Sequence, residues 1–136
     1  MKVMIDEGGF PPFRAHPTDA GLDLMTPVDF MVPPNGDATI DVGVHIQLPK
    51  STVGMLKSKS GLNVKFGIIS EGVIDEGYTG SIQVKLRNTS DRPVYFKRGD
   101  KITQLVVLPV LYESVDLVRS LAETERGDNG FGSTGR

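Results

Sequence analysis

Alternation of apolar and polar residues with a period of two most narrows what this chain can fold into. Ser81 to Arg87 reads SIQVKLR, with Ile82, Val84 and Leu86 on one face and Gln83, Lys85 and Arg87 on the other. Val42 to Leu48 repeats the pattern through Val44, Ile46 and Leu48. Only strands turn successive side chains to opposite faces, so both segments are expected to be half-buried strands. Shorter runs of the same character occupy 2–5, 22–25, 28–32, 54–57, 67–70, 94–96 and 102–108. Turn signals separate them: Pro33-Pro34-Asn35-Gly36, Glu71-Gly72, Glu76-Gly77, 88–93 and Arg98-Gly99-Asp100. With 16 Gly and 9 Pro in 136 residues, punctuation of this density leaves room only for short elements. The expectation is an all-β fold, a jelly roll or barrel. One-turn or two-turn helices near 60–64 and 116–121 are the only helical candidates.

Composition excludes whole classes of chemistry. Cysteine is absent, which removes disulfides, thiol nucleophiles and Cys-ligated metals. Fifteen Lys and Arg against 17 Asp and Glu give a net charge of −2, so no global positive field draws in nucleic acid or an anionic membrane. The longest apolar stretch, Leu105 to Tyr112, contains Pro109 and falls far short of the roughly 20 residues of a membrane span. The N-terminal MKVMIDEGG carries acids where a secretory leader needs an apolar core. A single cytoplasmic domain is expected.

The last eleven residues, RGDNGFGSTGR, hold four Gly and one large apolar side chain, Phe131. Nothing there builds a strand or helix with a buried face. Residues 1–125 are therefore read as the folded β domain and 126–136 as a glycine-rich arm. Glycine-rich backbone can aim several N–H groups at one anion. Ser133 and Thr134 add hydroxyls, Arg126 adds a planar fork, and Phe131 offers a plate for a base. A plain solvated tail explains the same composition.

Four further segments carry usable groups. In Gly72-Val73-Ile74-Asp75-Glu76-Gly77-Tyr78-Thr79-Gly80, an apolar pair delivers Asp75 to a strand end, where a carboxylate can take a proton from water; Tyr78 lies close enough to press on a sugar. Lys57-Ser58-Lys59-Ser60-Gly61-Leu62 places two ammonium and two hydroxyl groups ahead of a helix start, without the spacing of a Walker loop. Ala20-Gly21-Leu22-Asp23-Leu24 holds an extended carboxylate, Asp23, of the kind found beside hydrated Mg²⁺. Gln104, in Gly99-Asp100-Lys101-Ile102-Thr103-Gln104-Leu105, offers a neutral amide to a phosphate oxygen. Each segment alone is equally well read as a surface turn or strand.

Their order is more specific than any one of them. AGLDL at 20–24, SKSGL at 58–62, GVIDEGYTG at 72–80, GDKITQL at 99–105 and RGDNGFGSTG at 126–135 resemble the five motifs of the trimeric dUTPase family. The resemblance implies a β-jelly-roll (β-clip) homotrimer with one short helix, active sites shared between subunits, and Mg²⁺-dependent hydrolysis of dUTP to dUMP and pyrophosphate. It implies that Asp75 deprotonates the water attacking the α-phosphorus and that Asp23 contacts the metal through water. Lys59, Ser60, Gly61 and Gln104 would hold phosphates. Val73, Ile74 and Gln83 would read uracil through backbone groups, and Tyr78 would stack on deoxyribose. A flexible arm would close over the site, with Phe131 on uracil, Arg126, Ser133 and Thr134 on the γ-phosphate, and Gly132 also binding substrate.

Three departures stand out. Lys59 replaces the usual Arg and so loses its bidentate fork. The stretch from Lys59 to Asp75 is short, which bears on a hairpin tip expected at Ile69–Gly72. Asp128-Asn129 replaces a more Gly-rich pair. Two alternatives stay open. One is an added regulatory role in which a partner protein reads the nucleotide-closed arm. The other is the dCTP deaminase branch, which uses a glutamate ten residues after the motif-three Asp, where this chain has Lys85.

Overall fold

The computed structural model describes residues 1–130. Ten strands and one helix follow in the order β1 (Lys2–Ile5), β2 (Gly21–Met25), β3 (Phe30–Val32), β4 (Asp37–Asp41), β5 (Val44–Gln47), β6 (Thr52–Lys57), α1 (Ser60–Phe66), β7 (Ile68–Ile74), β8 (Gln83–Asn88), β9 (Val94–Phe96) and β10 (Lys101–Pro109). Six of them form one antiparallel sheet in the order β2-β10-β6-β7-β8-β4. Two small ribbons, β1-β5 and β3-β9, complete the all-β architecture. The period-two faces meet in one core: Leu24, Leu56, Ile68, Ile82, Val84, Leu86, Ile102 and Leu105 are buried together with Val44, Ile46 and Phe96.

Several expectations are corrected in detail. Strand β7 runs on to Ile74, so Glu71-Gly72 is not a turn and Ile69–Gly72 is not a hairpin tip. Glu71 pairs across the sheet with Lys57, and Gly72 stands opposite Leu56. The turn between β7 and β8 lies at residues 75–82 instead. Strand β4, with sequence DATID, was not expected: only Ala38 and Ile40 are apolar, and pairing with β8 makes it a strand. Helix α1 forms where expected and ends at Gly67, whose φ of 67° caps it. No helix forms at 116–121, because so short a stretch does not nucleate alone and nothing among the described residues covers its side chains. Leu117, for example, is 92% exposed. Among the described residues no helix is long and apolar enough to cross a membrane.

Candidate active site

Strand β7 delivers Asp75 as its first residue beyond Ile74. The turn that follows is closed by the Tyr78 N–H donating to the Asp75 carbonyl at 3.0 Å. Tyr78 Oη donates to the Ser81 carbonyl at 2.9 Å, which folds the ring back across Gly80. A Cβ on Gly80 would lie 2.5 Å from that oxygen, so only glycine leaves the ring its place. Glu76 points the other way, accepting from the Ser51 N–H at 2.8 Å and from Tyr112 Oη at 2.7 Å. Those two donors pull the Glu76 carboxyl below its usual range, although burial opposes them. The Asp75 carboxylate is exposed and makes no hydrogen bond or ion pair among the described residues. It sits on a recess of about 240 Å³ lined by Leu56, Val73, Ile74, Tyr78, Ile82 and Gln83.

A second cleft, of about 420 Å³, is built where β2 meets β10. Its walls include Asp19, Asp23, Lys59, Lys101 and Gln104. Asp23 is nearly buried; one carboxylate oxygen accepts from Lys59 Nζ and the other from Lys101 Nζ at 2.9 Å. Burial alone would raise the Asp23 pKa. The bonds and charges of Lys101 and Lys59 outweigh it, and the carboxyl is held below its ordinary value. Gln104 lies over Gly21 and donates from Nε2 to the Ser58 carbonyl at 3.1 Å. Ser58 is in turn locked to β7, because its Oγ accepts from the Ser70 N–H and donates to the Ser70 carbonyl. Ser60 and Gly61 then open α1 at the lip of this strand end.

The family assignment follows from the order of these pieces and from a match over most of the chain. A dUTPase family model matches residues 11–135. The chain belongs to the dUTPase family. It is 41% identical to the deoxyuridine 5'-triphosphate nucleotidohydrolase of Clostridium novyi, with 99% of each chain covered. Among solved structures it is similar to the dUTPase of Staphylococcus bacteriophage 80alpha with dUPNHPP, at a TM-score of 0.92 and 27% identity, covering 99% of this chain and 98% of that one. That phage protein is described as controlling transfer of virulence genes by a proto-oncogenic G protein-like mechanism. A dUTPase from phage phi11 of S. aureus, described for its coordination of a structural Mg(II) ion, aligns at a TM-score of 0.81 and 25% identity, covering 88% of this chain and 96% of that one.

In this dUTPase one chain gathers Asp23, Lys59 and Gln104 at one cleft but leaves Asp75 at another. Asp23, Gln104, Lys57 and Glu71 form one row across β2, β10, β6 and β7. Asp75 lies four residues beyond that row, so Asp23 and Asp75 of one chain stand on the order of 15–20 Å apart. Lys85 sits on the exposed face of β8 beside Asp37 at 3.3 Å and does not line the Asp75 recess. Every residue from Leu111 to Gly130 is exposed, on both sides of the 125/126 boundary expected from the sequence. Among the described residues Arg126 donates within the arm, from Nε to the Asn129 carbonyl at 3.1 Å. Phe131, Gly132, Ser133 and Thr134 lie outside the described residues. A larger recess of about 860 Å³ lies among residues 116–128 themselves and contains none of the other motif side chains.

Lys101 is the site residue that sequence reasoning missed. Strict alternation would place residues 101 and 104 on opposite faces of β10. A register shift between Lys101 and Thr103 puts both at the same cleft, and Ile102 and Thr103 are consecutively buried. Such a bulge re-aims one side chain and leaves little trace in the pattern.

The donor set suits one mode of magnesium binding and not another. Among the described residues no three His, Asp or Glu side chains converge as a metal cage. Mg²⁺ keeps much of its water and takes one or two carboxylates plus substrate phosphates. Asp23 already holds two ammonium groups but retains spare acceptor positions. The residues therefore fit an ion held through its water shell, with direct ligands from a triphosphate, and do not fit an ion caged by protein alone.

Proposed function

We propose that this enzyme hydrolyses dUTP to dUMP and pyrophosphate, with Asp75 as the general base for a water that attacks the α-phosphorus. The observation that supports it best is the unpartnered, exposed Asp75 carboxylate on a fixed turn beside an apolar recess. A base needs hydrogen-bond reach to its water and no competing partner, and such a group typically contributes about 10²–10⁴ in rate. Uracil would enter the recess and meet backbone groups of Val73, Ile74 and Gln83. Cytosine would leave buried donors and acceptors unpaired there. The Tyr78 ring, braced over Gly80, would pack on deoxyribose where a ribose hydroxyl collides.

Lys59, Ser60, Gly61 and Gln104 would receive the phosphates, with Arg126, Phe131, Gly132, Ser133 and Thr134 closing from the arm. Magnesium, when bound, would supply charge neutralisation along the triphosphate. Asp23 would orient that ion through its water. Separation of Asp23 from Asp75 within one chain supports a homotrimer, in which the two clefts of different copies face one another. The exposed tail from Leu111 onward is consistent with an arm that reaches a neighbouring copy.

Pyrophosphate release should be measured with dUTP, dCTP, dTTP and UTP in the presence of Mg²⁺. Asp75→Asn is expected to keep dUTP binding and lose at least about 10²-fold in turnover; near-normal turnover would remove the base assignment. Ammonia released from dCTP would move the chain to the deaminase branch. The regulatory role described for the phage 80alpha relative supports a second reading, a partner that recognises the nucleotide-closed arm. A pull-down with and without non-hydrolysable dUTP decides it, and equal capture in both would reject gating.

A further inference from the structure

The turn that carries Asp75 and Tyr78 is gripped from outside by the corner joining β4 to β5. Asp41, at the end of β4, accepts from Ser81 Oγ, from Gln83 Nε2 at 2.6 Å and from the Gly43 N–H at 2.9 Å. The Ile82 N–H donates to the Val44 carbonyl at 2.9 Å. His45 completes the grip. Its Nδ1 lies 2.9 Å from the Thr79 carbonyl oxygen and its Nε2 lies 3.1 Å from Asp6 Oδ2. A carbonyl oxygen and an ionised carboxylate only accept, so both ring nitrogens must donate. A neutral imidazole has one N–H and would aim a lone pair at one of the two oxygens.

We propose that His45, as an imidazolium bridging Asp6 and the Thr79 carbonyl, is a positioning residue that fixes the turn bearing Asp75 and Tyr78. The proposal rests on the reading of Asp75 as the base. Asp6 is itself anchored to the same corner, because its N–H donates to the Gly43 carbonyl at 2.9 Å. The charged groups around the ring are Asp6 after β1, Asp41 from β4, and Lys2 of β1, which lines the same recess as His45 and Thr79. The bond to Thr79 and the bond and charge of Asp6 raise the His45 pKa above the usual imidazole range, although burial opposes them. A raised value carries the brace to higher pH than an ordinary imidazole would and releases it as pH rises through that value. Loosening a base by a fraction of an ångström is enough to matter, since a misplacement of about 1 Å can cost 10²-fold in rate.

The test uses the full chain. His16 and His45 are its two histidines, so NMR titration of ring protons, assigned with His16→Gln, reads His45 directly. His45 is expected to titrate above the usual imidazole range, and Asp6→Asn to bring it down toward that range. In parallel, His45→Gln is expected to lower kcat for dUTP roughly tenfold at neutral pH with a smaller change in KM. Asp6→Asn should move the alkaline fall in kcat to lower pH. Melting curves establish that each variant is folded; should His45→Gln not fold, Asp6→Asn still decides. Wild-type kcat in His45→Gln, or a His45 titration that ignores Asp6→Asn, overturns the proposal. Asp75→Asn separates the two readings. It should abolish turnover while leaving the His45 titration unchanged, and an active Asp75→Asn would sink the base assignment, whereas the titration still judges the bridge.

Discussion

Replacing Asp23 with Asn should destabilise the fold by about 2–3 kcal/mol at neutral pH, and that loss should fade in acid. Asp23 is only 7% exposed and accepts from two ammonium groups, Lys59 and Lys101. Removing one partner of a buried ion pair costs about 3–5 kcal/mol, because the remaining charge is stranded. The Lys101 side chain is 38% exposed, however, and so belongs nearer the 0–1 kcal/mol of surface pairs. Asn preserves shape and one acceptor oxygen but turns its NH₂ toward an ammonium, which leaves the intermediate figure. For a chain of this size that corresponds to a fall in Tm of roughly 6–10 °C.

The pH dependence has a definite sign. The folded-state pKa of Asp23 is depressed, so its contribution is present above the unfolded value of about 3.9 and lost as pH falls through the folded one. Thermal melts of both proteins at one fixed concentration, from pH 8 to pH 2, should show a constant gap down to about pH 5 and a closing gap below about pH 4. The concentration must be fixed because assembly would itself shift Tm. An Asn variant as stable as wild type at pH 7, or a gap undiminished at pH 2, would refute the clamped-carboxylate argument.

Two other perturbations address the remaining geometry. Gly80→Ala would place a Cβ 2.5 Å from Tyr78 Oη and 2.7 Å from its Cζ, forcing the ring to swing and break its bond to Ser81. The loss of that bond is worth about 0.5–1.5 kcal/mol, and KM for dUTP should rise while discrimination against UTP falls; unchanged steady-state constants for both substrates would show that the ring position is irrelevant. Truncation after Glu125 should leave Tm unchanged, since the described residues it removes, 126–130, are exposed. It should weaken dUTP binding and turnover by removing the closing segment, and a fully active truncated chain would show the arm to be idle.

Much of the scaffold was legible because burial writes itself into a period of two. SIQVKLR could only bury Ile82, Val84 and Leu86 together, and α1 forms over the stretch read as helical, running two residues further than 64 before Gly67 stops it. Strand β4 was not legible, because a strand whose alternation is carried by Ala38 and Ile40 alone is recognised by its partner, not by itself. The Glu71-Gly72 pair misled for the opposite reason. It has turn composition, yet Lys57 across the sheet gives Glu71 an ion partner, and Leu56 packs close where Gly72 has no side chain.

At the site, the residue types and their order along the chain determined by themselves which groups could do chemistry: Asp75 at a strand end, Asp23 in an extended segment, Lys59, Ser60 and Gln104 nearby. Tertiary structure decided which of them meet. Pairing of β2 with β10 and a bulge at Ile102 brought Lys101 to Asp23, while the sheet order put two other strands between Asp23 and the strand that carries Asp75. Local pattern records what each residue does with its own neighbours in sequence. Contacts such as His45 to Thr79, or Glu76 to Tyr112, span more than thirty residues, and only the closed sheet sets their distances.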